Sequence, residues 1–246
     1  MIELKVLDSV FEISDFTFKR LLSVGSAGSA ALSFGSTYSS IFKHWKKMVS
    51  TSSTLPAFFP VDERVVDIDD PESNWGTFKK LFLSDCGSDS DLERHPETVE
   101  DYRRILSDYF AAFPVFDITF LGLGSDGHTA SLFPDTCPAE SDNDWKAEVL
   151  QTMAPFNPHL RLSLGPELIA ASRQLIMVVT GEAKKTILQK YLIQLSEMDS
   201  MPKDSPLLPP VKIVRRRENL SLNTLVLADT DAALSLSVAL KAGYIQ

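Results

Sequence analysis

His128 follows an apolar, strand-like run, Val115-Phe-Asp-Ile-Thr-Phe-Leu121, and sits just behind Gly122, Gly124 and Gly127. A histidine with its ordinary pKa of about 6.5 is mostly neutral at physiological pH, so this position suits a general base. Asp126, two residues earlier, either orders the turn or orients the imidazole. Asp62-Glu63-Arg64 follows another apolar run, Ala57 to Val61, and by itself describes a solvated loop. Gly35-Ser36-Thr37 opens a helix. That turn either presents free N–H groups, a helix dipole and two hydroxyls to an anion, or is simply capped by Ser36.

The elements that must position these groups are legible in outline. Phe116, Ile118 and Phe120 alternate with Asp117 and Thr119, the pattern of a strand entering a sheet. Gly122-x-Gly124-x-x-Gly127 after a strand matches the dinucleotide fingerprint literally. Pro134 follows too soon for the long helix such a site needs, which excludes that reading. Strands are expected at residues 2–7, 30–34, 57–61, 147–152, 175–180, 211–214 and 224–229, and Arg161-Leu-Ser-Leu follows a proline-marked connection. Helices are expected at 14–22, capped by Ser14, and from Ser36 with Tyr38, Ile41, Phe42, Trp45 and Met48 inward. Others carry Trp75, Phe78, Leu81 and Phe82; then Tyr102, Ile105, Leu106 and Tyr109; then Ile187, Leu188, Tyr191 and Leu192; the last runs from about Asp231 to Lys241. Alternating strands and helices imply a mainly parallel sheet covered on both faces, with ligands at the strands' C-terminal ends. Lys185, Arg215, Arg216 and Arg217 read as solvated charges, and residues 1–246 as a single domain.

Gly122-x-Gly-x-Asp-Gly-His128-Thr-Ala-Ser-Leu-Phe-Pro134 resembles the signature of the 6-phosphogluconolactonases. Related glucosamine-6-phosphate deaminases share the part up to His128, so Thr129 to Pro134 favours the lactonase branch. Val61-Asp-Glu-Arg64 with Asp70-x-x-Ser73-Asn74-x-Gly76 is similar to a second lactonase motif. Arg161-x-Ser-Leu resembles the family's Arg-x-Thr-Leu, and Thr180-Gly181-x-x-Lys184 its Thr-Gly-x-x-Lys. The turn at Gly35 resembles Leu-Ser-Gly-Gly-Ser-Thr-Pro, with Phe34 replacing a glycine and Tyr38 the proline.

The resemblance implies a three-layer α/β/α Rossmann-like fold and hydrolysis of a phosphorylated sugar lactone in the oxidative pentose phosphate pathway. His128 is then the base that activates water. Arg64, or backbone N–H groups around Gly124, would steady the oxyanion. Gly35, Ser36, Thr37, Asp62, Arg161 and Lys184 would bind the substrate, one Arg, one Lys and a helix N-terminus meeting its phosphate. No cofactor, metal or obligate protein partner is implied. The other readings are an isomerase or deaminase of the same fold, and a sugar-phosphate sensor without turnover.

The chain is acidic as a whole, so any anionic substrate must be held by a local cationic pocket. Across 246 residues, 24 Lys and Arg face 33 Asp and Glu, a net charge of −9, which argues against nucleic acid or an anionic membrane surface. Cys86 and Cys137 are too few for a disulfide scaffold and lack metal-ligand spacing, so a reduced cytoplasmic setting is expected. The opening Met1-Ile-Glu-Leu-Lys has no signal-peptide pattern, and no run approaches a membrane span.

Overall fold

The computed structural model describes residues 1–50, 53–86, 94–139, 141–198, 200–201 and 206–236. The chain forms β1 (Ile2–Leu7), α1 (Val10–Val24), β2 (Ser29–Leu32), α2 (Ser36–Met48), β3 (Ala57–Pro60) and β4 (Asp62–Arg64). Then come α3 (Asn74–Phe78), continued by a π-helical turn and one more short helical turn to Cys86, and α4 (Val99–Tyr109). The remainder is β5 (Ile118–Gly122), β6 (Val149–Met153), β7 (Leu160–Leu164), α5 (Pro166–Ala170), β8 (Gln174–Val179), α6 (Lys185–Glu197), α7 (Pro209–Asn219) and β9 (Thr224–Asp229).

Six strands make one sheet in the order β1-β9-β8-β5-β2-β3, every pairing parallel. Apart from edge strand β1, its strands are largely buried on both faces, so they read as near-continuous apolar runs such as Leu175 to Val179. Side chains alternate between two cores. Ala30, Leu32, Phe58, Ile118, Phe120, Ile176 and Val178 meet the aromatic faces of α1, α2 and α3. Ala31, Phe59, Leu121, Met177, Val179 and Val226 meet α4, α5, α6 and α7. This is the expected three-layer α/β/α arrangement with a mainly parallel sheet.

β4, β7 and β6 form a small antiparallel sheet, so Asp62-Glu63-Arg64 is a strand and not a loop. Val61 joins the two sheets: its N–H donates to Leu32 O at 2.9 Å and its carbonyl accepts from Leu164 N at 2.8 Å. β2 leads through α2 to β3 at one edge, while β5 leads towards β8 on the other side. The C-terminal ends of β2 and β5 therefore flank a topological switch point, where open α/β sheets leave a crevice.

Several expectations are corrected. α1 starts at Val10, capped by Ser9, whose hydroxyl accepts from Glu12 N at 3.4 Å, while the Glu12 carboxylate reaches back to the N–H of Asp8 at 3.0 Å. Ser14 instead bonds back to Val10 O within the helix. Residues 211–214, read as a strand from their β-branched run, lie in α7, which begins on Pro209 and Pro210 and buries Val211, Ile213, Val214 and Arg217. Packing against α5 and α6 overrides the local preference.

Two of the arginines read as solvated are structural. Arg217 is fully buried and donates to the carbonyls of Ala170 (2.8 Å), Ser172 (2.6 Å) and Asn223. Arg216 makes a two-pronged contact with Glu167 at 2.6 and 2.9 Å. Residues 231–235 form turns; the rest of the helix expected to Lys241, and most of the link from Cys86 to Glu97, lie outside the described residues. Among the described residues no helix is long and apolar enough to cross a membrane.

Candidate active site

The crevice between β2 and β5 is a cavity of about 560 Å³. His128, Asp126, Gly124, Arg64, Asp62, Gly35, Ser36, Thr37 and Lys184 all line it, although they come from four separate segments.

The base end is built by the turn after β5. His128 Nδ1 lies 2.5 Å from Asp126 Oδ1, and the His128 N–H reaches the same oxygen at 3.2 Å. With the ring proton on Nδ1, facing the carboxylate, Nε2 is the basic nitrogen. Burial acts to raise the Asp126 carboxyl, but the His128 charge and hydrogen bonds outweigh it and hold its pKa below the ordinary value. Phe133 packs 4.9 Å from the imidazole centroid and leaves the His128 side chain 26% exposed. Thr129 Oγ1 closes the turn on Gly122 O at 2.8 Å, and Ser131 Oγ donates to Asp62 at 2.7 Å. The polar residues that separate lactonase from deaminase in sequence thus tie the turn together.

Gly124 is required here by space. A Cβ on it would stand 2.2 Å from His128 Nδ1 and 2.7 Å from Asp126 Oδ1. Its N–H donates to His128 O at 2.8 Å, closing the loop on itself.

Another part of the wall is cationic and donor-rich. Gly35, at φ +99, is the N-cap of α2 and supplies no side-chain cap; Ser36 is the first helical residue and not the cap. The first-turn N–H groups of this helix therefore face the cavity with the dipole behind them. Thr37 Oγ1 lies 3.0 Å from Thr180 Oγ1, and Lys184 Nζ reaches Ser125 Oγ at 3.3 Å. Desolvation lowers the Lys184 pKa, and Asp126 opposes it. Gly181, which starts the Lys184 turn, is held by both oxygens of Asp229 at 2.9 Å. Tyr38, which replaces the proline of the resembling motif, is buried and donates to Leu121 O at 2.9 Å. Phe34 packs edge-on against Trp75 and Phe78.

Arg64 lines the middle of the cavity. Its Nη1 donates to Glu72 O at 2.6 Å and lies 3.6 Å from the Glu72 carboxylate. Arg161 is the one candidate that is not on the wall. It is the cross-strand partner of Arg64, only 2% exposed, with its guanidinium 5.7 Å from the ring centroid of Phe156. Phe156 does line the cavity, so Arg161 sits one ring behind it. Burial lowers the Arg161 pKa, and the Arg64 charge adds to this.

Sequence reasoning left Asn74, Phe156 and Thr180 off the wall. Asn74 and Thr180 were present in quoted motifs; Phe156 is an exposed aromatic in a loop and carried no signal. Among the described residues no cluster of His, Cys, Asp and Glu has the geometry to hold a metal.

The chain belongs to the glucosamine-6-phosphate isomerase/6-phosphogluconolactonase family, whose sequence model matches residues 14–222. It is 35% identical over 149 residues to a probable 6-phosphogluconolactonase of Schizosaccharomyces pombe, covering 53% of this chain and 57% of that protein. It is 30% identical over 191 residues to the 6-phosphogluconolactonase of Haemophilus influenzae, covering 70% of this chain and 75% of that protein. The crystal structure of a devB protein superposes with a TM-score of 0.79 at 26% identity, over 96% of this chain and 100% of that one. The chain spans about half the length of the eukaryotic relatives it matches.

Proposed function

We propose that this protein hydrolyses 6-phospho-D-glucono-1,5-lactone to 6-phospho-D-gluconate, the lactonase step of the oxidative pentose phosphate pathway. The observation that carries the reading is that one cavity brings together a His128–Asp126 couple, the N-terminus of α2 without a side-chain cap, and Lys184. The His–Asp couple suits attack of water on an electrophilic carbon, and the helix N-terminus and ammonium suit a phosphate.

In this mechanism the phosphate accepts hydrogen bonds from the first-turn N–H groups of α2, the hydroxyls of Ser36 and Thr37, and the Lys184 ammonium. His128 Nε2 takes a proton from water as the water oxygen bonds to C1. Asp126 stabilises the imidazolium that results. The C1 oxyanion is met by Arg64; the Gly124 N–H is already committed to His128 O, which favours Arg64 as the donor. Collapse of the intermediate breaks the C1–ring-oxygen bond, and the proton held on His128 passes to the leaving oxygen. A cytoplasmic setting belongs to this reading, in keeping with Cys86 and Cys137 as thiols.

A coupled assay on freshly generated lactone tests the proposal. His128→Ala is expected to lower kcat by roughly 10²- to 10⁴-fold. Turnover above the spontaneous rate that is unchanged in this variant would remove His128 as base. Ammonia release from glucosamine 6-phosphate, without lactone hydrolysis, would replace the reading by a deaminase.

A further inference from the structure

Glu63 is the residue of β4 that the proposed chemistry leaves unused. Strand alternation sends Asp62 and Arg64 to the cavity and Glu63 to the opposite face, where it is 0% exposed. A bare carboxylate there would be costly. Instead, Oε1 accepts the N–H groups of Arg64 and Asn74, each at 2.7 Å. Oε2 accepts that of Trp75 at 2.6 Å and lies 3.5 Å from the Ser73 hydroxyl and 3.8 Å from His95 Nε2. Two of these donors are first-turn N–H groups of α3, which a helix cannot pair internally.

One carboxylate therefore joins two wall residues that are ten positions apart in sequence. Asn74 completes the link from its own side, its Nδ2 donating to Asp62 O at 2.9 Å. The intervening segment brings Glu72 back so that its carbonyl and carboxylate receive the Arg64 guanidinium. Backbone and side chain of Arg64 are thus both referenced to a single buried group.

We infer that Glu63 is a positioning residue for the reaction proposed above: its two oxygens set the placement of Arg64 and Asn74 against the reacting end of the substrate, while the phosphate end is built independently. Burial raises its carboxyl from 4.5 to about 7 even though the three N–H bonds act to lower it. Asp62 beside it raises it further.

The inference rests on the lactonase reading, and the test separates the two. Glu63→Gln keeps the shape but turns one acceptor into a donor facing N–H groups. The expected loss in kcat/KM is roughly ten- to a hundredfold, carried by kcat, because a misplacement of about 1 Å has that scale. In an Arg64→Ala background the same change should cost clearly less than in wild type, since only the placement of Asn74 is then left to lose. Amide hydrogen exchange supplies a readout free of activity: protection at Arg64, Asn74 and Trp75 should fall in Glu63→Gln. If the wild-type chain hydrolyses no lactone, the function fails and the exchange result still decides whether Glu63 anchors these amides. Full additivity of Glu63→Gln with Arg64→Ala, or kcat/KM within about threefold of wild type, would overturn the inference. Should Glu63→Gln not fold, Glu63→Asp, which withdraws the carboxylate by one methylene, is read by the same criteria.

Discussion

Replacing Gly124 by alanine probes the seat of the imidazole without removing any polar atom. The added Cβ would stand 2.2 Å from His128 Nδ1 and 2.3 Å from Cε1, with Asp126 Oδ1 at 2.7 Å. Carbon contacts settle near 3.5 Å, so the ring must withdraw by about 1 Å or rotate away from Asp126. Gly124 is not in the left-handed region, so the backbone accepts alanine and the collision is confined to the His–Asp couple. A displacement of this size costs roughly 10²-fold when a group must meet its reactant in line. Gly124→Ala is therefore expected to lose about that much kcat in the coupled lactonase assay, with KM little changed because α2 and Lys184 are untouched. A kcat within about threefold of wild type, in a protein with an unchanged melting temperature, would refute the argument that the close seat over Gly124 sets the base.

Lys184→Ala removes the ammonium proposed to meet the phosphate, and steady-state kinetics should show KM raised by about tenfold or more, with a smaller loss of kcat because the ammonium also interacts with Asp126. Tyr38→Phe leaves the buried Leu121 carbonyl without its 2.9 Å donor, which should cost about 1–3 kcal/mol in a denaturant melt. Glu63, raised by burial from 4.5 to about 7, holds its proton longer in the folded state than in the unfolded one. Its contribution to stability is therefore present below about 4.5 and lost as pH rises towards about 7, and Glu63→Gln should flatten that slope in melts taken across the interval.

Local patterns in the chain account for the layers of this protein and for most of the residues on the cavity wall. Buried parallel strands leave uninterrupted apolar runs, amphipathic helices leave three- and four-residue spacings, and both are properties of local segments. The turn at His128, the helix opening at Gly35 and the charges at Arg64 and Lys184 were legible for the same reason, each being a short motif. Tertiary structure decided what a local pattern does not encode. Residues 211–214 have the β-branched composition of a strand, yet their packing on α5 and α6 makes them helical. Arg217, indistinguishable in sequence from its neighbours, is buried because the carbonyls of Ala170 and Ser172 converge on it from another element. Arg161 and Arg64 share a charge and a ladder position, but only Arg64 reaches the cavity, since Phe156 covers its partner. The role inferred for Glu63 follows from that same strand geometry: in Asp62-Glu63-Arg64 three like-looking charges face two different environments, and only the pairing of β4 with β7 says which one turns inward.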